Sequence, residues 1–310
     1  MLDSFLIILP IIICILVGYC LKVFGILTKE GAKQMGSLVF WVATPCLLFR
    51  MTYTLKLESL SHTRFFLVFY SCLIFSLLCV QLINLFRHCD NKRKATSCMM
   101  SIRSNSIFMG IPTVIMLWGD GMLGTLGVFM AFAQTGIVLI GVISSLVVLY
   151  GGLHADSIKY TFRSFIRNPV VLGVFAGLIW GLCIGITLPK SVDLSLKILG
   201  GIGTGLALMA LGTKLEPKRV VADLIITWPD SLIRLIIVPL IVWLGFKIFS
   251  TPSPNLEKVA ILIMSMPVAT NTFPMAEAMG MDGDYAAQSV MATTLLSIFT
   301  MPIIANLLLK

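Results

Sequence analysis

The feature that most constrains the fold is a succession of apolar runs, each close to 20 residues long. A helix of that length spans roughly 30 Å, the thickness of the hydrocarbon layer of a bilayer. None of the runs shows the alternating pattern of a membrane β-barrel. The sequence therefore predicts an all-α membrane protein with ten transmembrane helices. The runs are 5–24, 35–55, 65–86, 97–117, 123–150, 169–187, 196–214, 230–249, 258–279 and 285–309.

Composition supports this fold class and argues against other functions. The chain is 58% hydrophobic and only 12% charged, outside the range of soluble domains. The net charge of +9 does not indicate nucleic-acid binding, because the basic residues lie in short loops between the apolar runs. His62, His88 and His154 are far apart in the sequence, and no catalytic or metal-binding motif accompanies them. We expect no enzyme activity and no metal or cofactor. We expect the lipid bilayer to surround the protein as its partner.

The polar connection 151–168 divides the helices five and five, into residues 1–150 and 169–310. An odd number of helices per half makes the halves enter the membrane from opposite sides, so repeats would be inverted. With the N-terminus outside, the inner loops hold 13 lysines and arginines and the outer ones 8. This bias predicts that both termini lie outside the cell membrane and that 151–168 is a cytoplasmic linker.

Two apolar runs are interrupted by polar residues and proline, at 101–112 and at 264–280. Proline removes a backbone donor, and the carbonyls it leaves free are tolerated at membrane depth only against protein or a water-filled cavity. The interruptions fall in the fourth helix of each half, and paired breaks of this kind indicate a substrate site. Together with the Thr44–Pro45 kink in the second run, they define the candidate substrate-binding residues Thr44, Pro45, Arg103, Asn105, Pro112, Pro267, Thr270, Asn271, Thr272 and Pro274.

Two interpretations of the polar side chains are open. Asn105 and Asn271 each offer two donors and an acceptor, which could hold a carboxylate or replace lost backbone hydrogen bonds. Arg103 lies nine residues beyond Lys94, roughly 13 Å along a helix. Its guanidinium either lies near the site, where it would attract an anion, or extends back to the inner surface. Arg234, early in the eighth run, has the same two interpretations, and we expect an inner-surface anchor rather than an anion-attracting role.

Acidic residues suggest little ion coupling. All 14 carboxylates are expected in loops or near helix ends, so a sodium or proton relay built on buried acids lacks its parts. Glu277, one turn beyond Pro274, is the candidate for proton coupling, and its alternative role is an end-of-helix charge. The glycine-rich stretch 200–205 lacks the residues of a phosphate-binding loop and is expected to allow close helix packing.

These motifs together resemble the auxin efflux carrier family, which includes plant auxin carriers and bacterial malate and malonate permeases. The resemblance covers nearly the whole chain. The residues that carry it are Leu9–Pro10, Gly18–Tyr19, Gly25–Ile26–Leu27, Pro45, Leu47–Leu48–Phe49, Arg103–Ser104–Asn105, Gly110–Ile111–Pro112, Pro267–Val268–Ala269–Thr270–Asn271–Thr272 and Ala276–Glu277.

The resemblance implies a 5+5 inverted repeat with interleaved scaffold and transport subdomains, similar to bile-acid symporters and sodium/proton exchangers. Helices that cross at Pro112 and at Pro267 or Pro274 would bind a small organic anion. The substrate would be a mono- or dicarboxylate such as malate or malonate, or an auxin-like acid, moved by an elevator motion in a homodimer. The chain departs from bile-acid symporters because it lacks an evident acidic sodium site. The alternative function is a channel or a solute sensor.

Overall fold

The computed structural model describes residues 2–53, 62–152, 167, 169–213, 215–216 and 220–309. Within these ranges the backbone is predominantly helical, and the only strand-like pairing is an isolated antiparallel bridge between Ser104 and Val268. Most of the connection 151–168, which we interpreted as a linker, lies outside the described residues.

The first half of the chain is a series of helices that partly join end to end. They are α1 (Leu2–Val23), α2 (Lys29–Leu38), α3 (Thr44–Tyr53), α4 (Thr63–Phe86), α5 (Asn91–Ile102), α6 (Ile111–Trp118), α7 (Leu123–Val128) and α8 (Thr135–Tyr150). π-Helical turns join α2 to α3 (Val39–Ala43) and α7 to α8 (Phe129–Gln134), and a third, Ser106–Gly110, leads into α6. Asp120–Met122 forms a short 3₁₀ turn before α7.

The second half has a similar series. Its helices are α9 (Pro169–Ile179), α10 (Lys190–Gly212), α11 (Val220–Leu232), α12 (Val238–Ile248), α13 (Pro254–Met264), α14 (Thr272–Ala278) and α15 (Gly283–Leu309). π-Helical turns extend α9 (Trp180–Ile184) and join α11 to α12 (Ile233–Ile237). The eighth apolar run was expected to start at residue 230, but the helix begins ten residues earlier. Pro229 and Asp230, which resemble a helix start in the sequence, lie inside it.

The lengths and composition of these helices confirm an all-α, multi-pass membrane protein. In the described part of the chain, six helices are long and apolar enough to cross a bilayer: α2–α3, α4, α7–α8, α10, α11–α12 and α15. Shorter apolar helices occur in α1, in α6 with its π-helical turn and in α9 with its extension.

The helix boundaries follow local sequence signals. Thr28 precedes α2, and its hydroxyl oxygen accepts a hydrogen bond from the Gly31 N–H at 3.1 Å. Asp90 caps α5 in the same way, accepting from the Arg93 N–H at 3.0 Å. Gly151 ends α8 with a φ of +72°, a left-handed conformation that glycine adopts without steric cost.

Helices α1, α2–α3, α9 and α10 pack together in what we call the small bundle. Gly173, Gly177 and Gly181 recur every four residues along one face of α9 and its extension, and they lie against the backbone of α3. A Cβ atom at any of the three would collide with that backbone. Small residues therefore set the distance between these two helices.

The opposite side of α3 contacts α10. Gly200 lies against Leu47, and a Cβ atom on Gly203 would lie 3.0 Å from the Ala43 Cβ atom. These contacts show the packing role expected for the glycine-rich stretch at Gly200 and Gly203, whereas Gly201 and Gly205 face open space. Near the end of α3, the Arg50 guanidinium donates to both Asp193 oxygens of α10, at 2.7 and 3.0 Å.

The remaining helices, α4, α5–α6, α7–α8, α11–α12, α13–α14 and α15, form what we call the large bundle. Four buried phenylalanines support its core. The Phe65 and Phe246 rings stack at 5.3 Å between centroids, and Phe69 packs edge-on against Phe129 at 5.6 Å. The bundles meet where α1 contacts α15, where α3 contacts α7, and where α10 contacts the Ser106–Gly110 turn.

Candidate transport site at the helix crossing

Two interrupted helices of the large bundle cross through extended segments. Helix α5 ends at Ile102 and α13 at Met264, and Ser104 pairs with Val268 in an antiparallel bridge. The Asn105 N–H donates to the Pro267 carbonyl at 2.8 Å. The Ala269 N–H donates to the Arg103 carbonyl at 3.0 Å. The two breaks thus satisfy part of each other's backbone hydrogen bonding, as a nonpolar environment requires.

The prolines take different positions around this crossing. Pro267 lies at its centre, and its carbonyl accepts the Asn105 N–H. Pro112 and Pro274 instead lie in the first turns of α6 and α14, beyond the extended segments. The resemblance implied a crossing at Pro112 and at Pro267 or Pro274, and of these three prolines Pro267 lies in the crossing. At Pro274 this position is well tolerated, because its fixed φ suits the first turn of a helix, whereas Pro112 follows the π-helical turn Ser106–Gly110.

Arg103 points into the crossing and not toward the inner surface. Its side chain is 3% exposed, and Nη2 donates to Asn271 Oδ1 at 2.9 Å. Gly141 of α8 lies beside its aliphatic part, and a Cβ atom there would be in ordinary contact with Arg103 Cγ at 3.5 Å. Asn271 is the residue before α14, but its side chain does not cap that helix. The side chain of Asn271 therefore serves the arginine and not its own helix.

Several other polar atoms at the crossing are buried without a partner in the described residues. They include Nε and Nη1 of Arg103 and Nδ2 of Asn105, which are all donors. The hydroxyls of Ser104 and Thr272 are also buried without a partner in the described residues. Buried polar groups normally find hydrogen bonds, so a concentration of unpaired ones calls for an explanation. The donors and the positive charge together suit a carboxylate, which accepts hydrogen bonds through both oxygens.

A second buried arginine, Arg234, holds the ends of the crossing helices. Each of its three nitrogens donates to a carbonyl, and its side chain is fully buried. Nη1 donates to Ser101 at 2.9 Å, Nη2 to Met264 at 2.9 Å and Nε to Met266 at 3.0 Å. The expectation of an inner-surface anchor is wrong, because α11 starts at Val220 and places Arg234 roughly 21 Å along the helix.

A buried carboxylate forms another polar cluster in the large bundle. Asp230 is 4% exposed, and both its oxygens lie 3.1 Å from Nη1 of Arg87, just after α4. It also accepts from the Ser97 hydroxyl of α5 at 2.6 Å and from the Tyr285 hydroxyl of α15. The expectation that every carboxylate lies in a loop or near a helix end is therefore wrong at Asp230. We call these four residues the Asp230 cluster.

Comparison with known proteins identifies the family. The family model described as "Membrane transport protein" matches residues 4–152 and 153–305. The chain belongs to the membrane transport protein family. This is the auxin efflux carrier family that the motifs resemble, so the resemblance is confirmed. The family and the names of its members point to transport and not to catalysis.

Three relatives within the membrane transport protein family span most of the chain. An uncharacterized transporter of Methanocaldococcus jannaschii is 25% identical, over 98% of both chains. An uncharacterized transporter of Methanothermobacter thermautotrophicus is 26% identical, over 96% of this chain and 95% of its own. A Rhizobium meliloti protein named "Putative malonate transporter" is 23% identical, over 87% of this chain and 85% of its own.

Not all of the candidate site residues lie at the crossing. Thr270 is half-buried in the turn between Val268 and α14. Thr44 and Pro45 belong to the small bundle, where the Pro45 backbone lies against Gly173. Glu277 is exposed, and it lines a polar cleft together with four acidic or basic residues. Those residues are Asp90, Lys92, Asp282 and Asp284. The structure thus brings Arg103, Asn105, Pro267, Asn271 and Thr272 to the crossing, and places Thr44, Pro45 and Glu277 elsewhere.

Proposed function

We propose that this protein carries a small organic anion, a mono- or dicarboxylate, across the cell membrane and binds it at the helix crossing. The observation that carries the proposal is the state of Arg103. Its guanidinium is buried, pairs with the neutral Asn271 through Nη2, and has no partner in the described residues for Nε or Nη1. A buried charge without a counter-charge is costly, and an anionic substrate would offset that cost.

The chemistry of the guanidinium narrows the class of substrate. Its planar N–H groups match the two oxygens of a carboxylate better than an ammonium ion would. The Asn105 amide adds neutral donors at the same crossing. One relative carries the name "Putative malonate transporter", and a dicarboxylate of that size is our first candidate. Efflux of an anion from a negative interior is favoured by about 2.3 kcal/mol per charge per 100 mV.

We further propose ten spans in two inverted halves, with residues 151–168 as the cytoplasmic linker and both termini outside. The corresponding positions of the two broken segments support this arrangement, since α5–α6 and α13–α14 are each interrupted in their own half. The small bundle would be the scaffold and the dimer contact, and the large bundle the moving transport subdomain. The separate packing of the two bundles supports an elevator motion.

Uptake by proteoliposomes under a controlled voltage tests the proposal. Malonate, malate, oxalate, citrate and indole-3-acetate are offered to wild type, to Arg103→Gln and to Arg64→Gln. Arg64 is exposed at the start of α4 and serves as the matched control. We expect saturable uptake of one acid, reduced about 100-fold by Arg103→Gln since buried charged partners contribute about 3 kcal/mol, and unchanged by Arg64→Gln.

Two results would contradict the proposal. Equal uptake by Arg103→Gln and wild type would remove the crossing as the anion site. Passage of ions in planar bilayers at rates far above those of a carrier would show a channel instead.

A further inference from the structure

The second buried arginine offers an inference that rests on the proposed function and deepens it. Arg234 differs from Arg103 in one respect: every one of its nitrogens donates to the protein itself. Its three acceptors are main-chain carbonyls, and no substrate group is needed to complete its hydrogen bonding. Arg103, in contrast, has donors left over. The two guanidinium groups therefore have different tasks at one crossing.

The acceptors of Arg234 have a common origin. Ser101 lies in the last turn of α5, Met264 is the last residue of α13, and Met266 lies two residues beyond it. The carbonyls at the end of a helix have no partner within the helix and carry about half a negative charge. Two such ends directed at one point amount to about one negative charge. A single guanidinium balances that charge.

Arg234 occupies a position, at the ends of two half-helices, that binds cations in other carriers with interrupted helices. Unwound carbonyls and the C-terminal ends of half-helices are where such carriers coordinate sodium ions or protons. Here the same groups are already occupied by a cation that is part of the chain. The cation is held by the Ile233–Ile237 turn between α11 and α12, which lies in the large bundle together with α5 and α13. It therefore stays with the crossing if the bundle moves.

We infer that Arg234 is a built-in cation that replaces a bound metal ion at the crossing. Transport of the organic anion then needs no sodium or potassium. Removal of the guanidinium exposes the carbonyls of Ser101, Met264 and Met266, and these form a site for a monovalent cation. The side chain is a positioning residue, because it acts on the two helix ends and not on the substrate.

The test compares wild type, Arg234→Ala, Arg234→Lys and the exposed control Arg64→Ala. Two readouts are taken in choline, sodium, potassium and guanidinium salts at equal ionic strength: the melting temperature of the purified protein and malonate uptake. For wild type and Arg64→Ala we expect the same uptake in all four salts, and a melting temperature that differs only by the general destabilising effect of guanidinium, which is the baseline for Arg234→Ala. For Arg234→Ala in choline we expect uptake to fall about 100-fold, because a buried charged partner is lost.

The distinctive result is rescue. Sodium or guanidinium should increase uptake by Arg234→Ala at least tenfold over its value in choline. The same ions should raise the melting temperature of this variant, because an ion that binds only the folded state stabilises it. Arg234→Lys, which keeps a cation but not the three-way geometry, should fall between wild type and the alanine variant and respond less to added ions.

Three outcomes would overturn the inference. The first is uptake by wild type that depends on a sodium gradient, a result that requires no variant to fold. The second is a folded Arg234→Ala with wild-type uptake in choline. The third is a folded, inactive Arg234→Ala that no cation changes in uptake or in melting temperature. If Arg234→Ala does not fold in choline, failure of sodium and guanidinium alike to yield folded protein counts as the third outcome.

The melting temperature separates this inference from the proposed function. It requires no substrate, so a cation-dependent shift in Arg234→Ala stands even if wild type moves none of the acids. In that case the proposed function fails and the cation replacement holds. Conversely, sodium-driven malonate uptake by wild type would support the proposed function and contradict the inference about Arg234.

Discussion

Replacing Asp230 by asparagine should destabilise the large bundle by about 2–3 kcal/mol. A variant that breaks a buried ion pair typically loses about 3–5 kcal/mol. The Arg87 side chain is 18% exposed, so its freed charge reaches some water and the loss is at the lower end of that range. Asparagine keeps the shape and one oxygen acceptor, which reduces the loss further.

The contributions of individual residues of the Asp230 cluster to stability can be measured separately. Tyr285→Phe removes only the hydroxyl that donates to Asp230, and a hydrogen bond to a charged group contributes about 1.5–3 kcal/mol. The double variant should lose less than the sum of the two single variants, with a coupling of about 1 kcal/mol or more, as contacting residues usually show. Tyr19→Phe is the control, because the Tyr19 hydroxyl makes no hydrogen bond within the described residues.

The assay is unfolding by denaturant in mixed micelles, followed by tryptophan fluorescence, with free energies compared at one micelle composition. Arg87→Gln should lose at least as much as Asp230→Asn, because it leaves the carboxylate, which is 4% exposed, without its counter-charge. Additive losses in the cycle, or an Asp230→Asn loss below about 0.5 kcal/mol, the range of ordinary surface changes, would refute the reasoning. Either result would mean that the carboxylate is not held in the geometry that the structure gives.

Three further predictions concern other contacts. Gly18→Ala should lose about 1–3 kcal/mol of stability, because its Cβ atom would meet the backbone of α10. Gly201→Ala is the control and should not destabilise the protein, because Gly201 faces open space. Equal unfolding free energies of the two variants would contradict this packing. Asn271→Asp should raise the KM for the anion more than Asn271→Ala does, because an aspartate would pair with Arg103 and compete with substrate; the reverse order in uptake assays would contradict it. Asp193→Asn should cost at most about 1 kcal/mol, because this ion pair is partly exposed, and a larger loss on unfolding would show that the pair is more strongly shielded.

The apolar runs and the two interruptions were predictable because each depends on neighbouring residues in the sequence. Hydrocarbon thickness sets the run length, and proline with nearby polar residues signals a break. The crossing of the two breaks followed from their corresponding positions in the halves. The sequence also singled out Arg103, although it left two directions for its guanidinium.

The contacts of Arg234 and Asp230 could not be predicted in the same way. The Arg234 guanidinium bonds a carbonyl 133 residues away in the chain, and Asp230 bonds Arg87 across 143 residues. Such pairings depend on the rotation and register of packed helices, which have no local signal. A single error in one boundary, the start of α11, was enough to move both residues from the middle of a helical segment to its start in our expectation.

The two buried arginines also give the large bundle an electrical character. Arg103 contributes a charge of +1 near the crossing, whereas Arg234 is offset by the two helix ends and Asp230 is paired with Arg87. A bound monoanion would cancel this local charge, and a dianion would reverse its sign. If the bundle moves, the membrane potential therefore acts on the unloaded carrier and spares the one loaded with a monoanion. The return step alone would then set the voltage dependence of the cycle for a monoanion, whereas both steps would do so for a dianion, and steady currents would distinguish the two.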